Sequence, residues 1–209
     1  MRLTEILLGF VRSVNDLTDS SAICRADRMA VKRYDSSLYH KFTFSWANRV
    51  KETFGYSLPK ITPGKVLDFG CADGSTTAEL SFLYPDSFII GIDINTYQLE
   101  AASYRADDRV SFMYADGYYI DKYFENDSFD IVFAMNNLTD ICNMLPKRFL
   151  NGILERIVDV IKPDGYLCIA SMGNYCVLRL DDDKDASVIS RSGRDLQYQI
   201  ILDILQGKK

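Results

Sequence analysis

The stretch VLDFGCADGSTTAEL, residues 66–80, joins an apolar strand pattern to a helical pattern through a turn of small residues. Asp68, Gly70, Ala72 and Gly74 occupy every second position across that junction. A glycine-rich turn at the carboxyl end of a strand lets a ligand approach the backbone, and the following helix offers its free N–H groups. The stretch therefore predicts a ligand site at the point where a strand passes into a helix.

Downstream of Gly64 the chain alternates short apolar runs with segments of helical length. The apolar runs predict strands over 65–69, 87–93, 110–116, 129–135 and 165–171. The segments between them predict helices over 75–84, 97–105, 121–125 and 146–161. Unalternated apolar runs are typical of a parallel sheet covered on both faces, and right-handed crossovers make such a sheet doubly wound. The pattern predicts an α/β fold with a mostly parallel sheet.

The first 57 residues have a helical pattern instead. Apolar side chains recur at helical spacing from Leu3 to Leu17 and again from Leu38 to Phe54. Pro59 and the pair Pro63-Gly64 then interrupt the chain. We expect a helical N-terminal extension over 1–60 and a doubly wound body over 61–209, together forming one compact domain.

The C-terminal residues 186–205 allow two interpretations. They could form a hairpin across Ser192-Gly193, or a helix that is capped by Ser192 and Asp195 and ends at Gly207. The hairpin is the favoured prediction, because every second residue from 196 to 204 is apolar or aromatic: Leu196, Tyr198, Ile200, Leu202 and Ile204.

Composition and charge narrow the classes of function. The 209 residues carry a net charge of −5, which argues against a broad nucleic-acid interface. Five cysteines without CxxC spacing and a single histidine predict neither a metal site nor a disulfide framework. The apolar run from Ile6 to Val11 is too short and too charged at its edges for a membrane span or a signal peptide. We expect a cytoplasmic protein that binds neither membrane nor nucleic acid.

The turn after the first strand does not suit a dinucleotide. A dinucleotide fingerprint needs G-x-G-x-x-G, whereas Ala72 and Ser75 stand at its second and third glycine positions. Such a turn does not provide a good binding site for a pyrophosphate. It suits a ligand with one nucleoside and no phosphate.

The segment VLDFGCADGS resembles the first motif of the class I S-adenosylmethionine-dependent methyltransferases, which have a Rossmann-like fold. Four further pieces agree with that family in order and spacing: GIDIN, with Asp93 nineteen residues after Gly74; Asp116-Gly117; FDIVFAMNNLTDI; and ERIVDVIKPDGYLCIAS. The resemblance covers roughly residues 60–172. It implies S-adenosyl-L-methionine as cofactor, and S-adenosyl-L-homocysteine as product.

The ends of the second and third strands would hold the nucleoside, according to this resemblance. Asp93 would accept hydrogen bonds from both ribose hydroxyls, and Ile94 would pack on the adenine. A carboxylate also suits a vicinal diol on chemical grounds, since each oxygen can accept a hydrogen bond. Asp116 would receive the adenine amino group.

The methionine end of the cofactor would lie against the first strand and its turn. The resemblance places Asp68 and the backbone of 69–72 beside the amino and carboxylate groups, and Asn136 beside the sulfur and the substrate. Ala72 stands where many relatives have glycine. The full set of implied cofactor-binding residues is Tyr34, Asp68, Phe69, Gly70, Cys71, Ala72, Gly74, Asp93, Ile94, Asp116, Gly117 and Asn136.

The N-terminal extension is expected to form a lid that builds the substrate pocket, as it does in small-molecule members of the family. It carries Tyr34, which would lie against the methionine arm, and Tyr39 and His40, the candidate catalytic residues. His40 is the one side chain whose ordinary pKa suits a general base near neutral pH. Residues 1–60 carry a net charge of +4 against −9 for the rest, so the substrate could be anionic.

The sequence thus predicts an enzyme that transfers a methyl group in line from S-adenosylmethionine to a small molecule. Alignment of the reactants can lower the barrier by about 7–11 kcal/mol, so a catalytic triad is not required. The alternative is a catalytically silent cofactor-binding protein that regulates or scaffolds a partner. A nicotinamide dehydrogenase and an aminopropyl transferase are disfavoured by the incomplete glycine fingerprint and the basic N-terminal segment, respectively. The sequence does not indicate the oligomeric state.

Overall fold

A computed structural model describes residues 49–138, 141, 147–171, 174–193 and 196–207. Its strands are β1 (Lys65–Phe69), β2 (Phe88–Asp93), β3 (Val110–Tyr114), β4 (Phe129–Met135), β5 (Ile161–Ser171), β6 (Asn174–Leu180) and β7 (Ala186–Arg191). Its helices are α1 (Arg49–Phe54), α2 (Ser75–Leu83), α3 (Thr96–Ser103), α4 (Lys147–Val160) and α5 (Leu196–Leu205), with 3₁₀ turns at Gly55–Ser57 and Gly117–Lys122. Within these ranges no helix has the length and apolar character needed to cross a bilayer.

The seven strands form one sheet in the order β3-β2-β1-β4-β5-β6-β7. β1 to β5 are parallel, whereas β6 and β7 are antiparallel additions that follow β5 as a meander. β1 pairs with β2 on one side and β4 on the other, so the order of the strands reverses there. The predicted α/β, mostly parallel, doubly wound sheet is confirmed, and the reversal creates the crevice in which such sheets bind ligands.

Both faces of the sheet are buried, which explains why its strands are apolar without alternation. Val66 and Leu67 are fully buried and belong to separate core clusters. The Leu67 cluster includes side chains of α4 and α5, and the Val66 cluster includes side chains of α1 and α2. Because α4 and α5 belong to one cluster and α1 and α2 to the other, helices cover both faces of the sheet.

The structure describes residues 49–60 of the expected N-terminal extension, in which residues 49–57 form α1 and a 3₁₀ turn. Val50 and Phe54 of α1 are buried in the cluster that contains Val66. The Glu79 carboxylate of α2 accepts hydrogen bonds from the backbone N–H groups of Val50 and Lys51, at 2.8 and 2.9 Å. The division into a lid over 1–60 and a body over 61–209 stays a prediction.

The favoured hairpin over 186–205 is wrong in its second half. Residues 186–191 form β7, but Leu196–Leu205 is a helix. β7 pairs instead with β6, a strand that the sequence pattern did not predict. A helix is favoured over a strand here because Ile201 and Leu202, which are adjacent in sequence, are both buried in the core cluster. An alternating strand would point one of the two into solvent.

Candidate cofactor site

The turn between β1 and α2 explains the alternation in the sequence. Gly70, Ala72 and Gly74 all have left-handed backbone, with φ of 72°, 49° and 77°. The N–H groups of Gly70 and Cys71 both donate to the carbonyl of Ile92 in β2, at 2.9 Å each. A left-handed alanine costs roughly 1–2 kcal/mol relative to right-handed backbone, so Ala72 holds this turn under strain that glycine would avoid.

Asp93, the last residue of β2, is tied to this turn. One of its oxygens accepts the N–H of Ala72 at 2.9 Å, and the other accepts the N–H of Asn95 at 2.8 Å. Burial raises the pKa of Asp93, while hydrogen bonds from the backbone of Asn95, Ala72 and Ile94 oppose the rise. A carboxylate has about four acceptor positions, so both oxygens keep capacity for a further donor.

Asp93 is not the cap of the following helix. Asn95 is the N-cap of α3, and its side chain accepts the N–H groups of Tyr97 and Gln98. Ile94, between the two, is half-buried. Since a neighbouring residue satisfies the helix terminus, Asp93 remains available for a ligand.

Asp116 follows β3 with only one of its two oxygens satisfied. Oδ1 accepts the N–H of Tyr118 at 2.9 Å, while Oδ2 is buried and has no hydrogen-bond partner within the described part of the chain. Burial raises the pKa of Asp116. A Cβ on Gly117 would come within 2.3 Å of the Phe69 ring, so glycine is needed for that ring to pack against the turn that follows β3.

Asp68, the residue before the last of β1, is buried, with only 1% of its surface exposed. The Thr77 hydroxyl donates to its Oδ2 at 2.7 Å, and burial raises the pKa of Asp68 to about 7. Cys71 is also buried, and burial raises the pKa of its thiol, which therefore stays protonated near neutral pH.

The residues that follow β4 contact the turn after β1. Asn136 has a left-handed backbone, with φ of 60°, and its N–H donates to the carbonyl of Ala170 in β5 at 2.7 Å. The next side chain, Asn137, donates to the carbonyl of Phe69 and occupies the space in which a Cβ on Gly70 would stand. Asn137 and Thr77 are contacts that sequence reasoning missed, because no spacing rule links them to β1.

Strand register brings most of the predicted site residues to one edge of the sheet. Phe69 lies opposite Ile92 of β2 and Ala134 of β4, and Asp93 lies opposite Tyr114 of β3. The turn after β1, Asp93, Asp116 and Asn136 therefore lie at the carboxyl ends of four adjacent strands. Tyr34, Tyr39 and His40 lie outside the described residues. Within those residues, no group of three or more His, Cys, Asp or Glu side chains is placed to hold a metal ion.

Comparison with known proteins identifies the class. A family model described as "Methyltransferase domain" matches residues 63–195. The chain is 31% identical over 145 residues to a sterol 24-C-methyltransferase of Debaryomyces hansenii, covering 67% of this chain and 32% of that protein. It is 32% identical over 130 residues to the O-methyltransferase cnsE of Penicillium expansum, covering 60% and 44%.

A solved structure supports the same fold. The PH0226 protein of Pyrococcus horikoshii superimposes with a TM-score of 0.50 at 20% identity, covering 75% of this chain and 80% of that one. The chain belongs to the methyltransferase-domain family, that is, to the Rossmann-like class I S-adenosylmethionine-dependent methyltransferases. It spans about a third of the length of the Debaryomyces relative and less than half of the Penicillium one.

Proposed function

We propose that this chain binds S-adenosylmethionine at the carboxyl edge of β1 to β4 and transfers its methyl group to a small molecule. The observation that carries the proposal is the set of three carboxyl groups there, Asp68, Asp93 and Asp116. Each is held by at least one hydrogen bond from the protein, and each retains acceptor capacity.

The donor groups of the cofactor match these acceptors. Asp93 would accept the two ribose hydroxyls, one on each oxygen, because each oxygen already has a single backbone donor. Asp116 would accept the adenine amino group through Oδ2, and that hydrogen bond would satisfy a buried oxygen that otherwise carries a desolvation penalty. Ile94 would cover the adenine ring.

The turn would receive the methionine end. Left-handed backbone at Gly70 and Ala72 favours small residues, which leaves room for a ligand beside the turn. The buried carboxyl group of Asp68 would favour a positively charged group of that ligand. When bound, the cofactor supplies a methyl group on a positively charged sulfur. Asn136 at the end of β4 would border that methyl group and the acceptor molecule.

The relatives support a small-molecule acceptor and leave the acceptor atom open. One is named for methylation of a sterol carbon and the other for methylation of an oxygen. No observation favours the silent binder over the enzyme. The described cysteines, Cys71, Cys168 and Cys176, are buried free thiols, which supports a reducing compartment such as the cytoplasm.

Substitution of Asp93 tests the proposal. Two hydrogen bonds to a charged group contribute about 1.5–3 kcal/mol each. We therefore expect Asp93→Ala to weaken S-adenosylmethionine binding about a hundredfold or more in calorimetry. Asp86→Ala is the matched control, because Asp86 is exposed and precedes the opposite end of the same strand. Wild-type affinity in Asp93→Ala, or tighter binding of NAD than of S-adenosylmethionine, would refute the assignment.

A further inference from the structure

Two consecutive asparagines tie the carboxyl end of β4 to the strands on either side of it. Asn136 has a left-handed backbone, and its N–H donates to the carbonyl of Ala170 in β5 at 2.7 Å. The side chain of Asn137 contacts the other neighbour, because its Nδ2 donates to the carbonyl of Phe69, the last residue of β1. The end of β4 is thus attached to β5 through its backbone and to β1 through one carboxamide group.

The carboxamide of Asn137 is held at both of its polar atoms. While Nδ2 donates to Phe69, Oδ1 accepts the N–H of Leu138 at 2.7 Å. Leu138 is fully buried and belongs to the same core cluster as Phe69. Because both polar atoms are engaged and the next residue is anchored in the core, the Asn137 side chain is directed at the end of β1.

The backbone of the turn after β1 passes directly against this side chain. A Cβ on Gly70 would overlap with Nδ2 of Asn137, so the carboxamide occupies the space that the glycine leaves open. On its other side the turn is held to β2, because the N–H groups of Gly70 and Cys71 donate to the carbonyl of Ile92. The start of the turn is therefore fixed between the backbone of β2 and the side chain of Asn137.

We propose that Asn137 is a positioning residue, which holds the turn after β1 in the shape that receives the amino-acid end of the methyl donor. This inference rests on the proposed function, in which the nucleoside lies at Asp93 and Asp116. Those two acids lie at the carboxyl ends of β2 and β3, on the opposite side of β1 from β4. Asp93 also has a donor outside the turn, the N–H of Asn95. A change at Asn137 should therefore affect one end of the ligand and spare the other.

Two ligands that share a nucleoside separate the two ends. S-adenosylhomocysteine has the amino-acid end, whereas 5′-methylthioadenosine has the nucleoside and the sulfur but neither an amino nor a carboxylate group. We expect Asn137→Ala to weaken the binding of S-adenosylhomocysteine about tenfold, the upper range for the loss of one neutral hydrogen bond, and that of 5′-methylthioadenosine less than about twofold. Calorimetry measures the first affinity, and displacement of S-adenosylhomocysteine measures the second.

A second variant distinguishes the hydrogen bond from packing. Leucine in Asn137→Leu fills a similar volume beside Gly70 but has no N–H to donate to Phe69, so this variant should show the same selective loss as Asn137→Ala. It also keeps the test available if the smaller side chain does not fold. Asn126→Ala is the matched control, because Asn126 is exposed and precedes the opposite end of β4. It should bind both ligands as the wild type does.

A purely structural role of Asn137 would lower the affinity for both ligands together, or for neither. An equal loss for both ligands in the Asn137 variants, or wild-type affinity for both in Asn137→Leu, would overturn the inference while leaving the proposed function in place. Failure of the wild type to bind S-adenosylhomocysteine would instead contradict the proposed function.

Discussion

Asp68 illustrates how a ligand site can cost the protein stability. Burial disfavours the charge of its carboxyl group, so the pKa rises from 3.8 in water to about 7 in the folded chain. The folded chain therefore binds this proton more tightly than the unfolded chain. Protonation of Asp68 therefore stabilises the folded chain relative to the unfolded one. This stabilisation is fully present below pH 3.8 and is lost as the pH rises through about 7.

We accordingly expect the free energy of unfolding to fall between pH 5 and pH 8, with Asp68 contributing roughly 2–3 kcal/mol of the decrease. Urea denaturation of the wild type and of Asp68→Asn at both pH values measures this contribution. The variant should lose that share of the slope, whereas Asp86→Asn should keep it. A slope that is the same in Asp68→Asn would show that this carboxyl group is not the source.

Gly91 is a second residue whose role follows from its neighbours. A Cβ there would stand 2.7 Å from the half-buried Phe112 ring and 2.9 Å from the buried Thr77 hydroxyl, so both contacts would force a shift. We expect Gly91→Ala to lower the free energy of unfolding by about 1–3 kcal/mol. Gly64→Ala is the control, because its added methyl would meet only Asp130, at 3.5 Å. Equal stability of the two variants in urea would contradict the close approach at Gly91.

For single residues, the sequence predicts which side chains could bind a ligand better than it predicts which residues they contact. Asp93 and Asp116 could be singled out because each ends a predicted strand. Thr77 and Asn137 could not, since their contacts with β1 depend on how α2 and the end of β4 pack. The ligand roles of the acids stay predictions until a cofactor is bound.

Most elements were predicted to within a few residues, but the helix expected over 121–125 is a 3₁₀ turn over Gly117–Lys122, and two further exceptions lie at the C-terminal edge of the sheet. β1 and β4 have the predicted bounds, because each is a short segment of mainly apolar residues that ends at a turn. α5 was mistaken for a strand because its alternate residues are apolar, while adjacent pairs of apolar residues also fit a helix. β6 was missed because its seven residues include Asn174, Arg179 and only a short apolar centre.

The helical assignment of α5 makes its own prediction. Ile201 is fully buried on the helix, yet it would lie on the polar face of the alternating strand. We expect Ile201→Ala to cost about 2–5 kcal/mol of unfolding free energy, as for other large-to-small changes in a core. Gln199→Ala, on the exposed side of the same helix, should cost less than about 0.5 kcal/mol. A cost for Ile201→Ala as small as that for Gln199→Ala would exclude the buried position.

For the whole molecule, the doubly wound class of the sheet could be anticipated, because right-handed crossovers between parallel strands leave few topologies. The crevice at the reversal is the place where the predicted cofactor residues gather. Residues 1–48 of the expected N-terminal lid, which include Tyr34, Tyr39 and His40, lie outside the described residues. Their roles in closure, catalysis and attraction of an anionic substrate stay predictions.

A crystal structure of the full chain grown with S-adenosylhomocysteine tests the central claim most directly. We predict the nucleoside in the crevice at the carboxyl ends of β1 to β3, with both ribose hydroxyls within hydrogen-bond distance of Asp93 and the adenine amino group on Oδ2 of Asp116. A ligand bound elsewhere on the chain, or bound in this crevice with its ribose turned away from Asp93, would contradict the account.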